Sequence, residues 1–375
     1  MNIVWLAPEP PIPPLTGGRE RSRRMLDYLT RQHAVHLLTF ATQQEKSELD
    51  GLRHELASLT AIAYPSCWGY LSSQMCEAVA KVIQSRPDVV HIQGLDMYRY
   101  MPTGSDIRCV LDLHDVPGLL EARLMRLEPV FPASVWRALR LAHLYRCEIT
   151  AIRRASAVIV VSEQDRIALM SAYADQAHKI VVIPNGEDLG YWAWSEADPD
   201  PATVMFPGAL NWPPNVDAAR VLIQSVLPYV RASVPQAQVI IAGCQPDSAL
   251  RAMVQSDSSV TLIADPPDMR PIFARATIVA VPLRAATGTR HKILQAMAMG
   301  RPVVSTCIGA EGLGLVADVN LLVAPVVEPF GDALAHLLTH PARRVELVRA
   351  GQAIIHRHAW ENHLPRLDTL YGNAP

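Results

Sequence analysis

Twelve short runs of β-branched and aliphatic residues punctuate this chain, separated by longer segments with helical spacing. In the first half the runs are NIVWLAP (2–8), VHLLTF (35–40), DVVHIQG (88–94), CVLDLHD (109–115), AVIVVSE (157–163) and KIVVIPNG (179–186). Several are almost continuously hydrophobic rather than alternating, the pattern of a strand covered on both faces. Segments 19–32, 72–85 and 135–154 are long enough to be the crossover helices that parallel strands require. The expected class is α/β, with doubly wound parallel sheets.

The alternation breaks once. EDLGYWAWSEADPDPA (187–202) is acidic, aromatic and proline-bearing without a period, and reads as a linker. The pattern restarts with TVMFPGAL (203–210), QVIIAG (238–243), VTLIA (260–264), IVAVPL (278–283), PVVST (302–306) and LLVAP (321–325). Two Rossmann-like domains are expected, 1–186 and 203–350, with 351–375 packing back on the first. A chain of 375 residues exceeds one ordinary core, and domains of roughly 170–190 residues suit it. Ligands of open parallel sheets sit beyond the carboxyl ends of the strands, so two facing sheets would make a cleft for two substrates.

Composition narrows the class further. Hydrophobic residues make up 50% and charged residues 19%, enough for ample burial. A net charge of −2 lacks the basic footprint of a nucleic-acid partner. No apolar run reaches the ~20 residues of a membrane span, which leaves at most peripheral membrane contact. MNIVWLAPEPPIPP lacks the basic n-region of a signal peptide. Six cysteines without a CxxC pair argue against metal and disulfide frameworks, and the expected location is cytoplasmic.

Three strand-end stretches could carry chemistry. Gly17 and Gly18 in TGGRERSRR either let the backbone approach an anion at a helix start or form a plain turn. The spacing is not GxGxxG, so no dinucleotide fingerprint is present. His114, in LDLHDV, either serves a substrate or bonds to backbone in a turn. The third stretch, GTRHKILQAMAMGRP (288–302), places Arg290 and Lys292 at a helix start, where the helix dipole disfavours cations. Both could extend into solvent. Two cations, the hydroxyl of Thr289 and the amides after Gly288 nevertheless match what a diphosphate needs, and that reading is preferred.

These stretches resemble the retaining, nucleotide-sugar-dependent GT-B glycosyltransferases of family 4. GTRHKILQAMAMGRPVVSTCIGAEGL (288–313) is similar to the GTRxKxLEAMAxGxPVVST run of a bacterial exopolysaccharide-type branch. VMFPGALNWPPNVDAARVL, DMRPIFARATIVAVPL, VIVVSEQD, VVIPNG and the N-terminal glycine loop extend the resemblance over nearly the whole chain. It implies that Gly17 and Gly18 lie near donor phosphates and acceptor, and that His114 lies over the donor sugar. It also implies that Gly208 lies by the diphosphate, with Arg290 and Lys292 replacing the absent GRxxxxKG cations. A family glutamate that holds the donor ribose is replaced by Gln295, and the position eight residues earlier is Thr287. Glutamine can accept one hydroxyl bond but forfeits the charge-assisted pair.

The implied activity is metal-independent transfer from a nucleotide-diphosphate sugar to a sugar, lipid-linked or small-molecule acceptor, with no cofactor. Closure about 187–202 would exclude water. A nucleotide-sugar epimerase and a donor-binding pseudoenzyme are the alternatives, the second suggested by Gln295.

Overall fold

The computed structural model describes every residue except 15, 66–70, 105–106, 128–132 and 373–375. Cys67 lies outside the described residues. The chain forms two units, one of Met1–Asn185, Thr287–Thr289 and His363–Pro375, the other of Gly186–Ala286 and Arg290–Asn362. The C-terminal segment that belongs with the first unit therefore begins at His363.

The first unit holds seven strands: β1 (Asn2–Ala7), β2 (Ala34–Phe40), β3 (Ser58–Ile62), β4 (Val89–Gln93), β5 (Arg108–Leu113), β6 (Ala157–Val160) and β7 (Ile180–Val182). Their order is β3-β2-β1-β4-β5-β6-β7, all parallel. The second unit holds β8 (Thr203–Pro207), β9 (Gln238–Gly243), β10 (Val260–Ala264), β11 (Ile278–Val281), β12 (Val303–Ser305) and β13 (Leu322–Val323). They run β10-β9-β8-β11-β12-β13, again parallel. These are two Rossmann-like sheets, each reversing direction beside its first strand. All twelve hydrophobic runs became strands. The strand absent from that reading, β3, is an edge with only Ile62 buried, so it carries no continuous apolar run.

The helix Gly17–Leu29 shows how sequence sets position in the first unit. Thr16 is its N-cap, accepting the Arg19 amide at 3.2 Å, and Met25, Leu26 and Leu29 bury its inner face. Arg21 on that face is fully buried. It forms a forked pair with Asp112 of β5 at 2.7 and 3.0 Å and donates to Asn185 at 2.6 Å. Burial alone would raise the Asp112 carboxyl, but the Arg21 charge and the His91 ring outweigh it and hold the acid far below the usual carboxylate range. His91 of β4 stacks on Trp5 of β1 at 3.7 Å and is kept neutral by burial. Its Nδ1 shares a hydrogen bond of 2.6 Å with the hydroxyl of Tyr371, in the C-terminal helix Arg366–Gly372.

Removing one partner of a buried pair leaves an uncompensated charge. Arg21→Ala should therefore cost ~3–5 kcal/mol of stability, read as a lowered urea midpoint of the first unit. Because the Asp112 pKa is depressed, its contribution is present at neutral pH and disappears as pH falls through the acid range. A loss under ~1 kcal/mol, the range of an exposed pair, would contradict this account.

Candidate functional site

In the second unit the strand order reverses between β8 and β11, so the crevice past their carboxyl ends is the expected ligand position. Gly208 follows β8 directly, and the loop after β11 leads into the helix His291–Ala298. The Gly208 amide donates to the Ala242 carbonyl at 3.0 Å. A Cβ on this glycine would stand 2.7 Å from Asn215 Nδ2 and 2.8 Å from Lys292 Nζ. Only glycine leaves both groups room.

Lys292 stands beside this glycine. Its ammonium donates to Asn215 Oδ1 at 2.7 Å and lies 4.3 Å from the centre of the Phe206 ring. Asn215 Nδ2 is tied to the Ala209 carbonyl at 2.9 Å, which turns its oxygen toward the lysine. Among the described residues no carboxylate pairs with Lys292. Desolvation, then the positive charge of Arg290, push its pKa down to about 7. A bound anion would offset both penalties by stabilising the charged form.

Arg290 departs from the expected placement. Its guanidinium is buried, donates from Nε to the Ile308 carbonyl at 3.1 Å and from Nη2 to the same oxygen, and meets Glu311 at 3.2 Å. The arginine thus braces the short helix Cys307–Ala310 that follows β12. What it sends toward Lys292 is field rather than a hydrogen bond.

Gln295, one turn further along the helix, has a neighbour that the sequence did not reveal. Glu187 is buried, and its Oε2 receives the Gln295 Nε2 at 3.5 Å while Oε1 receives His291 Nδ1 at 2.6 Å. The Glu187 backbone is fixed by its amide donating to the His358 carbonyl at 2.7 Å and by a bridge to Ala359. A Cβ on the preceding Gly186 would reach to 2.5 Å of the Trp360 nitrogen. With Nε2 facing a carboxylate, the Gln295 carbonyl oxygen turns away and can accept. The opposite orientation would set two oxygens against each other. A glutamate at 295 would set two carboxylates side by side, so Glu187 gives the glutamine a physical reason.

In the first unit Gly17 opens the helix Gly17–Leu29. A Cβ on Gly18 would meet His114 Nε2 at 3.2 Å and Glu9 Oε1 at 3.3 Å. Gln93 sets this approach: it donates to the Gly18 carbonyl at 3.0 Å and receives Trp5 Nε1 at 3.2 Å. His114 Nδ1 is buried with no hydrogen-bond partner among the described residues. Gly288 has a left-handed φ of 75°, and a Cβ there would lie 2.7 Å from the His114 carbonyl and clash with Asp115. Thr289 shares that loop and belongs with the same unit. The glycines and His114 thus gather in the first unit, and Gly208, Arg290, Lys292 and Gln295 in the second.

Among the described residues no three His, Cys, Asp or Glu side chains gather so as to hold a metal ion. No described helix is long and apolar enough to cross a membrane. Asn215, Gln93 and Glu187 escaped the sequence reading because each acts through a partner distant in the chain, and none belongs to a motif quoted for its chemistry.

Comparison with known proteins is consistent with this geometry. Residues 16–191 match the Glycosyltransferase Family 4 profile, and residues 201–340 match Glycosyl transferases group 1. No curated protein sequence matches the chain. Among solved structures, Anabaena HepE in complex with UDP is similar at 18% identity, with 100% of each chain covered and a TM-score of 0.71. Sucrose-phosphate synthase from Thermosynechococcus elongatus is similar at 16% identity, covering 99% of this chain and 98% of that one, with a TM-score of 0.78. TarM of S. aureus, in complex with UDP, aligns over 100% of each chain at 11% identity and a TM-score of 0.74.

Lys292 should titrate with a midpoint near 7, read as the pH dependence of its acylation by a mass-resolved labelling reagent. The lysine is charged below that value and neutral above it, so anion affinity at this site should fall as pH rises through about 7. A midpoint near the ordinary lysine value of ~10.4 would contradict the assignment.

Proposed function

Because this chain belongs to the GT-B glycosyltransferases of family 4 and group 1, we propose that it transfers a sugar from a nucleotide-diphosphate donor with retention of configuration and without a metal ion. The observation that carries this reading is Lys292, an ammonium with no carboxylate partner among the described residues, set against Gly208 at the switch point of the second sheet. The leaving group of the reaction is a nucleoside diphosphate, and its developing charge is what such a cation stabilises. The UDP bound by HepE and TarM supports a uridine donor as the first to test.

The residues divide the work. Gly208 lets the diphosphate approach the backbone, and Lys292 neutralises the departing phosphate through bonds worth ~1.5–3 kcal/mol each. Arg290, held by Ile308 and Glu311, adds positive field and fixes the loop. Gln295 offers its carbonyl to a ribose hydroxyl. In the first unit His114 orients the transferred sugar, and Gly17, Gly18, Gly288 and Thr289 shape the backbone around it. The acceptor hydroxyl attacks on the face the diphosphate leaves, and the departing phosphate oxygen takes its proton. No strong protein base is then needed, and no cofactor enters. The acceptor is a sugar, lipid-linked or small molecule.

A thermal-shift screen of UDP, GDP, ADP and TDP sugars identifies the donor, since a ligand that binds the native state raises the midpoint with saturation. The sugar that the enzyme releases slowly to water should carry the donor's anomeric configuration by NMR, at a rate EDTA leaves within about twofold. An inverted product would overturn retention, and strict divalent dependence would overturn the metal-free mechanism. Gln295→Glu should weaken donor binding about tenfold, because charges this close repel by several kcal/mol at an effective dielectric of ~20. Glu187→Gln combined with Gln295→Glu should restore it. Equal affinity of Gln295→Glu and the parent protein, by calorimetry, would remove Glu187 from the site.

A further inference from the structure

The second unit has a cavity of about 400 Å³ that the transferase reading does not use. Thr277, just before β11, and Arg301, just before β12, place it at the amino ends of these strands. Gly208 and the helix of Lys292 lie past carboxyl ends, so the two places are at opposite edges of the sheet. Trp194 enters the cavity from the segment before β8, and Arg344 and Arg349 enter from the helix Pro341–Ile355. The volume falls in the range of small-molecule pockets, roughly 300–1,000 Å³.

Three arginines line this cavity, and among the described residues none of them pairs with a carboxylate. Nearby acids are engaged elsewhere: Asp200 pairs with Arg275 at 2.8 Å and Glu346 with Arg343 at 2.7 Å. Asp198 acts on Arg301 through its field alone. Arg301 is only 6% exposed. Its Nη2 donates to the Ala197 carbonyl at 2.8 Å, while its buried Nε has no acceptor among the described residues. Arg344 is held by the Leu337 and Leu338 carbonyls at 2.6 and 3.1 Å. Desolvation disfavours the charged form of both arginines, and a bound anion would offset that penalty.

The remaining wall is flat and apolar. The Trp194 ring lies on Gly300, whose φ is 72° and where a Cβ would stand 2.6 Å from Cε3 of the indole. Half of Trp194 nevertheless remains exposed, and Val345 and Val348 line the cavity with it. The hydroxyl of Thr277 is spent on backbone, donating to the Asp200 carbonyl at 2.6 Å and accepting the Thr203 amide at 3.3 Å. Little is left to bind the hydroxyls of a sugar.

We propose that this cavity binds a small aromatic phosphate of nucleoside-monophosphate type, its ring on Trp194 and its phosphate among Arg301, Arg344 and Arg349. Guanidinium groups match phosphate oxygens with paired N–H bonds, and an indole face gains from an offset-stacked ring. The inference is independent of the donor assignment, because it shares no residue with it.

The test is calorimetry of the full chain with AMP, glucose 6-phosphate and inorganic phosphate as probes. AMP should bind about tenfold more tightly than the other two, and its affinity should fall as salt is raised. Trp194→Ala should bring AMP down to the level of inorganic phosphate while UDP-sugar binding stays unchanged. Arg301→Gln should weaken AMP severalfold, and Arg349→Gln, at an exposed position, is the deciding variant if Arg301→Gln lowers the thermal midpoint. Lys292→Ala should leave AMP affinity within about twofold, since that cation belongs to the opposite edge of the sheet. No AMP binding overturns the proposal, as does equal binding of all three probes, which would mean an adventitious ion only. AMP binding that Lys292→Ala abolishes and Trp194→Ala leaves intact also overturns it, because the probe would then occupy the donor crevice. Glucose 6-phosphate binding as tight as AMP overturns the aromatic assignment. UDP-sugar binding by the parent chain is a separate readout, so the transferase reading stands or falls apart from this one.

Discussion

Burial of parallel strands on both faces is the constraint from which the rest of this structure follows. Strands such as β1, whose residues from Ile3 to Ala7 are all fully buried, have no face to lend to a ligand. Chemistry is left to the places where strands stop. In the second unit that is the reversal of strand order between β8 and β11, where Gly208 and Lys292 meet. In the first it is the ends of β1 and β5, which bring Gly18 to His114.

Charge inside these units is handled in two opposite ways. Arg21 and Asp112 are both fully buried and satisfy each other, with Asn185 taking a further guanidinium bond. Such a pair ties the helix Gly17–Leu29 to β5, and losing either partner would leave an uncompensated buried charge. Lys292 is the reverse case. It has an amide oxygen and an aromatic ring but no carboxylate among the described residues, and Arg290 repels it. A cation kept short of its counter-charge by surrounding packing has its charged form disfavoured until an anion approaches. Proteins place perturbed groups of this kind where they bind or react.

The same contrast explains the helix start at Arg290 and Lys292. Cations in a first turn conflict with the helix dipole when no ligand is considered. The two side chains resolve the conflict differently: Arg290 spends its guanidinium on the Ile308 carbonyl and Glu311, while Lys292 waits beside Gly208. Gln295 is reconciled by a third residue. Glu187, more than a hundred positions earlier, supplies the carboxylate that orients the amide.

The sequence by itself determined the class, because hydrophobic runs and helical spacing are local and periodic signals. Twelve strands, the parallel sheets and the resemblance of 288–313 to a glycosyltransferase run were all legible there. The edge strand β3 was not, since an edge buries too little to write a pattern. Which cation is available to a ligand and why position 295 is a glutamine were decided only by tertiary structure. Each depends on a partner brought close by folding: Ile308 for Arg290, Asn215 for Lys292, Glu187 for Gln295. Hydrogen bonds and desolvation act over a few ångströms of space, whatever the separation along the chain, and no local pattern records them.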